Sequence, residues 1–364
     1  MMKNINDSIK KKSRKVIDYY LIKGLSGMAL GLFCTLIVGL ILQQIGKVIG
    51  HNYIGDIVFQ LGSIAMICTG VGIGVGVAYS LGAPNLVMFS SAVTGMVGAY
   101  ASNLVAGKML VEGKTILATP GDPLGAFIAV VVGIEVGKLI SGKTKLDIIL
   151  TPIVTIFSGG LIGILVGPTV SKGMMSLGQL LVLAVDMQPF IMGIFVSVLM
   201  GILLTLPISS AAISIIFSLS GLAAGAATVG CASQMVGFAV ASYRENKVNG
   251  LVAQGLGTSM LQIPNIIKNP LIWVPPIITS AILGPLATIV FKMENNPVGG
   301  GMGTSGLVGQ LMTWETMIQS GTPGVLLAKI LLLHFVLPAI LTLLISELMR
   351  KKGWIKKGDM KLNI

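Results

Sequence analysis

Asn295 to Gln310 reads NNPVGGGMGTSGLVGQ. Asn295, Asn296, Thr304, Ser305 and Gln310 supply uncharged donors and acceptors, and the glycines between them leave backbone amides open to close approach. These are the groups a sugar or polyol needs. The fragment Gly301–Gly306 matches G-x-G-x-x-G in letters. A dinucleotide fingerprint needs a strand ahead of it in a βαβ unit, and this fragment has long apolar runs on both sides.

Further polar residues stand where apolar runs are interrupted. Gly70, Gly72, Gly74 and Gly76 loosen one run, and Ser80-Leu-Gly-Ala-Pro84-Asn85 ends it. Later, Gln262-Ile-Pro264-Asn265 ends one run and Pro275-Pro276 kinks the next. Paired broken segments in the two halves of a membrane chain point to a solute site. Gln60, Asn85, Gln254 and Asn265 are therefore candidates to line it, and an interhelical hydrogen bond is the alternative for each. Two ionisable residues also lie in apolar runs. Glu135 in VVVGIEVGK has Lys138 as an i,i+3 partner, and His334 in LLLHFVLP needs a partner or a wet cavity. Lys329 is placed to snorkel outward.

Enzyme chemistry is poorly provided for. With only His51 and His334 there is no H-E-x-x-H and no hydroxyl or thiolate triad, so the chain is not expected to be an enzyme by itself. Cys34, Cys68 and Cys231 fall inside apolar runs without disulfide or zinc spacing, and neither a metal nor a cofactor is expected.

The elements that position these residues are membrane helices. Apolar residues are 54% of the chain and charged ones 10%, far below the roughly 25% of a soluble domain. Mean hydropathy is +0.91. The 48 glycines, often four apart (Gly27/Gly31, Gly133/Gly137, Gly159/Gly163/Gly167, Gly221/Gly225), let helix backbones approach in lipid. The expected fold is an all-α polytopic membrane protein of about ten transmembrane helices. They run over 24–45, 54–79, 86–106, 123–141, 148–170, 188–206, 210–232, 246–263, 271–291 and 325–348, the eighth being short and polar.

The net charge of +12 sits mainly at the two ends, which suits anionic lipid rather than nucleic acid. Residues 1–20 read as a basic interfacial helix with Ile5, Ile9, Val16 and Ile17 on its apolar side; 350–364 is a basic tail. Both termini are expected in the cytoplasm, with Lys138, Lys143, Lys145 and Lys268. Arg244 and Lys247 then fall outside, against the positive-inside rule.

Gly31–Leu42 (GLFCTLIVGLIL) resembles Gly193–Leu204 (GIFVSVLMGILL), and Ile57–Gly72 resembles Ile215–Gly230. The two matches predict a five-span repeat over 21–170 and an inverted copy over 188–349, joined by an interfacial linker helix within 171–187. Residues 295–320 are expected to form a re-entrant hairpin in the second copy, because irregular backbone at membrane depth must be buried or line a wet cavity.

The stretch Asn295–Gln310, with the preceding PPIITSAILGPLAT (Pro275–Thr288), resembles the membrane (EIIC) subunits of bacterial phosphotransferase-system sugar transporters, in the perfringolysin-regulator-like branch. The resemblance covers nearly the whole chain. It implies a dimeric carrier in the bacterial inner membrane that delivers sugar to a phosphorylated EIIB partner, with EIIA and EIIB on other chains. In other branches a Glu and a His near the sugar position or activate its hydroxyl, roles for which Glu135 and His334 have the chemistry. The regulator name also leaves open a sensor without flux, and ion-coupled transport is a third reading.

Overall fold

A computed structural model describes residues 15–16, 18–50, 52–111, 114–115, 117, 121–320 and 322–362. The helix expected over 1–20 lies almost wholly outside the described residues, as does His51. The described chain is helical apart from one antiparallel pair of two-residue strands, Leu110–Val111 and Lys114–Thr115. The helices that matter here are α1 (Asp18–Ile49), α2 (Tyr53–Ile67), α3 (Thr69–Ser80), α4 (Asn85–Ala99), α5 (Pro123–Ile140), α6 (Asp147–Val185) and α7 (Pro189–Thr205). They continue with α8 (Ser210–Ile216), α9 (Gly221–Ala241), α10 (Tyr243–Val252), α11 (Pro270–Val290), α12 (Val308–Met317) and α13 (Pro323–Lys351).

Among the described residues, six helices are long and apolar enough to cross a membrane: α1, α5, α6, α9, α11 and α13. Taking α2 and α3, which meet at a 52° bend, as one span makes seven. The count falls short of ten for identifiable reasons. Helices α4 and α7 are apolar but have 15 and 17 residues. At 1.5 Å per residue they reach roughly 22 and 25 Å, short of about 30 Å of hydrocarbon. The run expected over 210–232 is broken, since α8 stops at Ile216 and α9 starts at Gly221 after positive φ at Ser218. The fifth span and the expected linker helix are one helix, α6, of 39 residues. At roughly 58 Å it must project beyond the hydrocarbon layer.

The expected eighth span does not form. Polar α10 (YRENKVNGLV) gives way to a π turn at Ala253–Gly257, a 3-10 turn at Ser259–Gln262 and a short helix, Ile263–Lys268. Arg244 pairs with Glu347 at 3.1 Å and Arg350 with Glu245 at 3.0 Å, so the start of this segment lies level with the end of α13. Its other end is held there too, because Asn269 Nδ2 donates to the Trp354 carbonyl at 3.1 Å. Residues 243–269 therefore leave and return on the face that carries the C-terminal tail. Arg244 and Lys247, expected on the opposite side from Lys268, share its side, and the conflict with the charge rule disappears.

The chain forms two compact units. One comprises the described residues of Met1–Thr35 and Ile67–Val170; the other comprises those of Leu36–Met66 and Ser171–Ile364. The first packs through small residues. Gly27 and Gly31 of α1 meet Gly76 and Gly72 of α3, Gly70 of α3 meets Gly95 of α4, and Gly98 of α4 meets Gly125 of α5. Asp122 caps α5 by accepting from the amides of Leu124 and Gly125 at 3.1 and 3.3 Å.

The second unit is built around α9, buried along nearly its whole length and packed by α7, α11 and α13. Hydroxyls tie the helices where small residues bring them close. Ser197 donates to the Ser280 carbonyl at 2.8 Å, Ser280 to the Gly230 carbonyl at 3.2 Å, and Thr342 to Thr279 at 2.9 Å. A Cβ at Gly230 would collide with the Ser197 backbone of α7. Gly230→Val should therefore cost about 1–3 kcal/mol by overpacking. Gly173→Ala on α6, which meets nothing within 4 Å, should leave the melting temperature in detergent unchanged or slightly raised. Equal melting of Gly230→Val and the parent would contradict the α7–α9 crossing.

Candidate functional site

The glycine stretch starts and ends on one face. It follows the end of α11 and leads through α12 to the start of α13, and Lys329 near that start donates to the Phe291 carbonyl at 3.1 Å. Between these ends the chain dips into the unit. Asn296 caps a single turn, Pro297–Gly300, accepting from the amides of Val298 and Gly299 at 3.1 and 3.0 Å. Gly303, Gly306 and Leu307 then all take positive φ. The two glycines adopt this region without strain, and for Leu307 it costs energy the surrounding packing must supply. A Cβ at Gly303 would reach within 2.8 Å of the Cys231 backbone, midway along α9, so the loop lies directly on that helix.

Each polar side chain has a definite place. Asn295 is 1% exposed and donates to Thr228 Oγ1 at 2.7 Å and to the Gly309 carbonyl at 3.0 Å, while its Oδ1 accepts from the Asn296 amide at 2.8 Å. It staples the descending strand of the hairpin to α9 and α12. Thr304 donates to the Gly255 carbonyl at 2.5 Å, which joins the hairpin tip to the π turn entering from the opposite face. Ser305 is buried, and its hydroxyl has no partner among the described residues.

Gln310 on α12 meets fully buried His334 on α13. The Gln310 side-chain amide and His334 Nδ1 pair at 3.1 Å. The bond uses one donor and one acceptor, and the tautomer of the imidazole sets which group donates. Gln310 Oε1 and His334 Nε2 are then left without partners among the described residues. One free acceptor and one free donor are what a hydroxyl group, itself both, can satisfy.

The other candidates are dispersed. Gln254 is buried but occupied: it donates to Ser242 Oγ and the Gly250 carbonyl, both at 2.9 Å, and accepts from Gln262 at 2.8 Å. Asn265 donates to Gln262 Oε1 at 2.8 Å and the Lys361 carbonyl at 2.9 Å. Gln60 is exposed on α2, and Asn85 is exposed at the first turn of α4 in the other unit. Glu135 also lies in that other unit, 3.6 Å from Lys138 as the i,i+3 spacing suggests, and accepts from Tyr19 at 3.3 Å. Lys138 also donates to the Leu81 carbonyl at 3.0 Å and to the Tyr19 hydroxyl.

Sequence reasoning missed the groups that support the hairpin. Ser210 donates to the Gly301 carbonyl at 2.6 Å and Thr228 to that of Gly299 at 3.4 Å. Nothing in their spacing marks them out, because hydroxyls on apolar helices usually bond their own preceding turn. The docking of the tail on Asn246, Gln262 and Asn265 was also missed. Its only trace is the apolar Ile355, Met360 and Leu362 set among lysines.

Apolar helices of membrane length define a multi-pass membrane protein. The family model "Phosphotransferase system, EIIC" matches residues 22–362, and the chain belongs to that family. No curated protein shows significant similarity to it. Membership makes it a membrane subunit of sugar transport, consistent with the resemblance carried by Asn295–Gln310.

The Gln310–His334 pair can be tested without any solute. Gln310→Leu should cost about 1–3 kcal/mol, since it leaves buried Nδ1 unpaired. Gln310→Leu with His334→Phe should cost less than the sum of the two single changes, read by melting in detergent. Strict additivity would show that the two side chains do not pair.

Proposed function

We propose that the chain is a sugar carrier working by alternating access, with the hairpin at 295–310 as its solute site and separate EIIA and EIIB chains supplying the phosphoryl group. The carrying observation is the buried Gln310–His334 pair, with one acceptor and one donor free beside a loop of neutral polar groups. Asn295, Asn296, Thr304 and Ser305 complete the site in this reading. Asn295 and Thr304 act mainly by shaping the loop, while Ser305 offers a further free hydroxyl. Gln254 and Asn265 serve as its support from the opposite face rather than as solute ligands. Glu135, with Lys138 and Tyr19, is a structural cluster.

Alternating access is supported by the internal repeat. In the first unit Gly72 of α3 packs on Thr35 of α1; in the second, Gly230 of α9 packs on Ser197 of α7. Gly72 matches Gly230, and Thr35 matches Ser197, in the two pairs of similar segments. Two helix crossings made at equivalent residues are what an inverted repeat would produce. The face shared by Arg244, Lys247, Lys268 and the tail lysines is the cytoplasmic one in this reading, in keeping with the charge rule. A homodimer in the bacterial inner membrane, with anionic lipid around the basic ends, completes the picture.

Purified protein in detergent should be stabilised by its sugar, by about 2.7 kcal/mol at 100 times the dissociation constant. In cells, uptake of that sugar should depend on phosphoenolpyruvate and survive a protonophore. Gln310→Ala and Asn296→Ala should abolish uptake while leaving a folded protein. Normal uptake in both variants would overturn the site. Uptake collapsed by the protonophore would favour ion coupling, and binding without flux would favour a sensor.

A further inference from the structure

The C-terminal tail is the least expected part of the second unit. Its lysines suggest a solvated strand, yet Ile355 and Met360 are 2% and 0% exposed. Four side-chain amides from the 243–269 segment hold its backbone. Asn246 and Gln262 both donate to the Met360 carbonyl, at 2.8 and 3.0 Å. Asn265 donates to the Lys361 carbonyl at 2.9 Å and Asn269 to the Trp354 carbonyl at 3.1 Å. In return the Leu362 amide donates to Asn246 Oδ1 at 2.8 Å, and the Gly358 amide to Glu245 Oε1 at 3.3 Å. Lys351, Lys352, Lys356, Lys357 and Lys361 all remain exposed, so the tail is held by its backbone, its buried apolar side chains and Asp359, whose Oδ2 accepts from Asn269 Nδ2 at 2.7 Å, and not by its lysines.

This docked tail connects to the hairpin tip through a short chain of hydrogen bonds. Gln262, which holds Met360, also donates to Gln254 Oε1 at 2.8 Å. Gln254 belongs to the π turn Ala253–Gly257, and the Gly255 carbonyl of that turn accepts from Thr304 at 2.5 Å. Gly353 and Gly358 have φ of +73° and +95° with open space around them, which gives pivots just after α13 and within the tail. The bond from Asn269 to Trp354 is exposed, those from Asn246 and Asn265 are part-buried, and the Gln262–Met360 bond is buried, so the tail is held most firmly at Met360. The Arg350–Glu245 ion pair precedes the pivots and need not break.

We infer that residues 353–362 are an intramolecular latch. Docked, the latch braces the Ala253–Gly257 turn against Thr304 and keeps the tail face of the hairpin closed; released, it frees that turn. Its consequence for transport rests on the hairpin being the solute site, but the latch itself does not.

Hydrogen exchange of the full-length protein in detergent, without solute, tests it on three forms: the parent, Gln262→Glu, and the chain ending at Lys352. Gln262→Glu keeps the shape but turns the donor toward Met360 and Gln254 into an acceptor. Exchange should rise about tenfold at 253–262 and 303–307 in both variants, with α9 and α11 as protected as in the parent. A synthetic peptide of residues 353–364, added to the shortened chain, should restore protection. Unchanged exchange at 253–262 would overturn the latch, and so would exchange rising equally throughout α9, because the tail would then be ordinary core. If the shortened chain fails to fold, Gln262→Glu decides between the same two outcomes in the intact protein. Since no solute is present, the latch and the carrier reading can fail separately.

Discussion

Backbone N–H and C=O groups cannot be left facing hydrocarbon, and most of the second unit can be understood as an answer to that constraint around residues 295–310. A helix pairs its own backbone groups; a stretch with glycine at 299, 300, 301, 303, 306 and 309 does not do so continuously. Its carbonyls are met by Ser210, Thr228 and Asn295, and its entry amide at Asn295 is paired with the Gly221 carbonyl at 3.2 Å. The break between α8 and α9 places Ser210 and Gly221 where they can do this. The irregularity of one segment is thus matched by the irregularity of another.

The same constraint gives the glycines and hydroxyls a common purpose. Close backbone approach is what allows Ser197, Ser280 and Thr342 to bond across helices rather than only along them. In lipid there is little hydrophobic gain from packing one apolar helix on another, so close contact and these bonds carry the association. Gln310 and His334 are less completely paired. They share one bond and keep one donor and one acceptor free, as Ser305 nearby keeps a free hydroxyl; Gln44, Ser214, Gln234 and Ser346 elsewhere in the unit also hold a buried polar atom without a partner among the described residues. A half-satisfied buried pair is costly.

Two irregular segments enter from opposite faces and meet at Thr304 and Gly255. The segment from the far face carries the neutral polar groups. The other, 243–269, is held from outside by the tail. Membership of the phosphotransferase EIIC family places this arrangement in a membrane subunit of sugar transport.

Membrane class, the irregular backbone of 295–310 and the Glu135–Lys138 pair were legible in the sequence. Each depends on local composition or spacing: apolar length, glycine density, an i,i+3 offset. The sequence alone also singled out His334, since an imidazole in hydrocarbon demands a partner, though it did not say that Gln310 is the partner. Where spans end was less legible, because hydropathy averages over breaks such as 217–220 and cannot tell polar surface helix α10 from a weak crossing. The hydrogen-bond partners of Gln254 and Asn265 became visible only in three dimensions. An amide on a membrane helix can bind a solute or a neighbouring carbonyl equally well. The carbonyls that hold this segment belong to Met360 and Lys361, about 100 residues further along the chain.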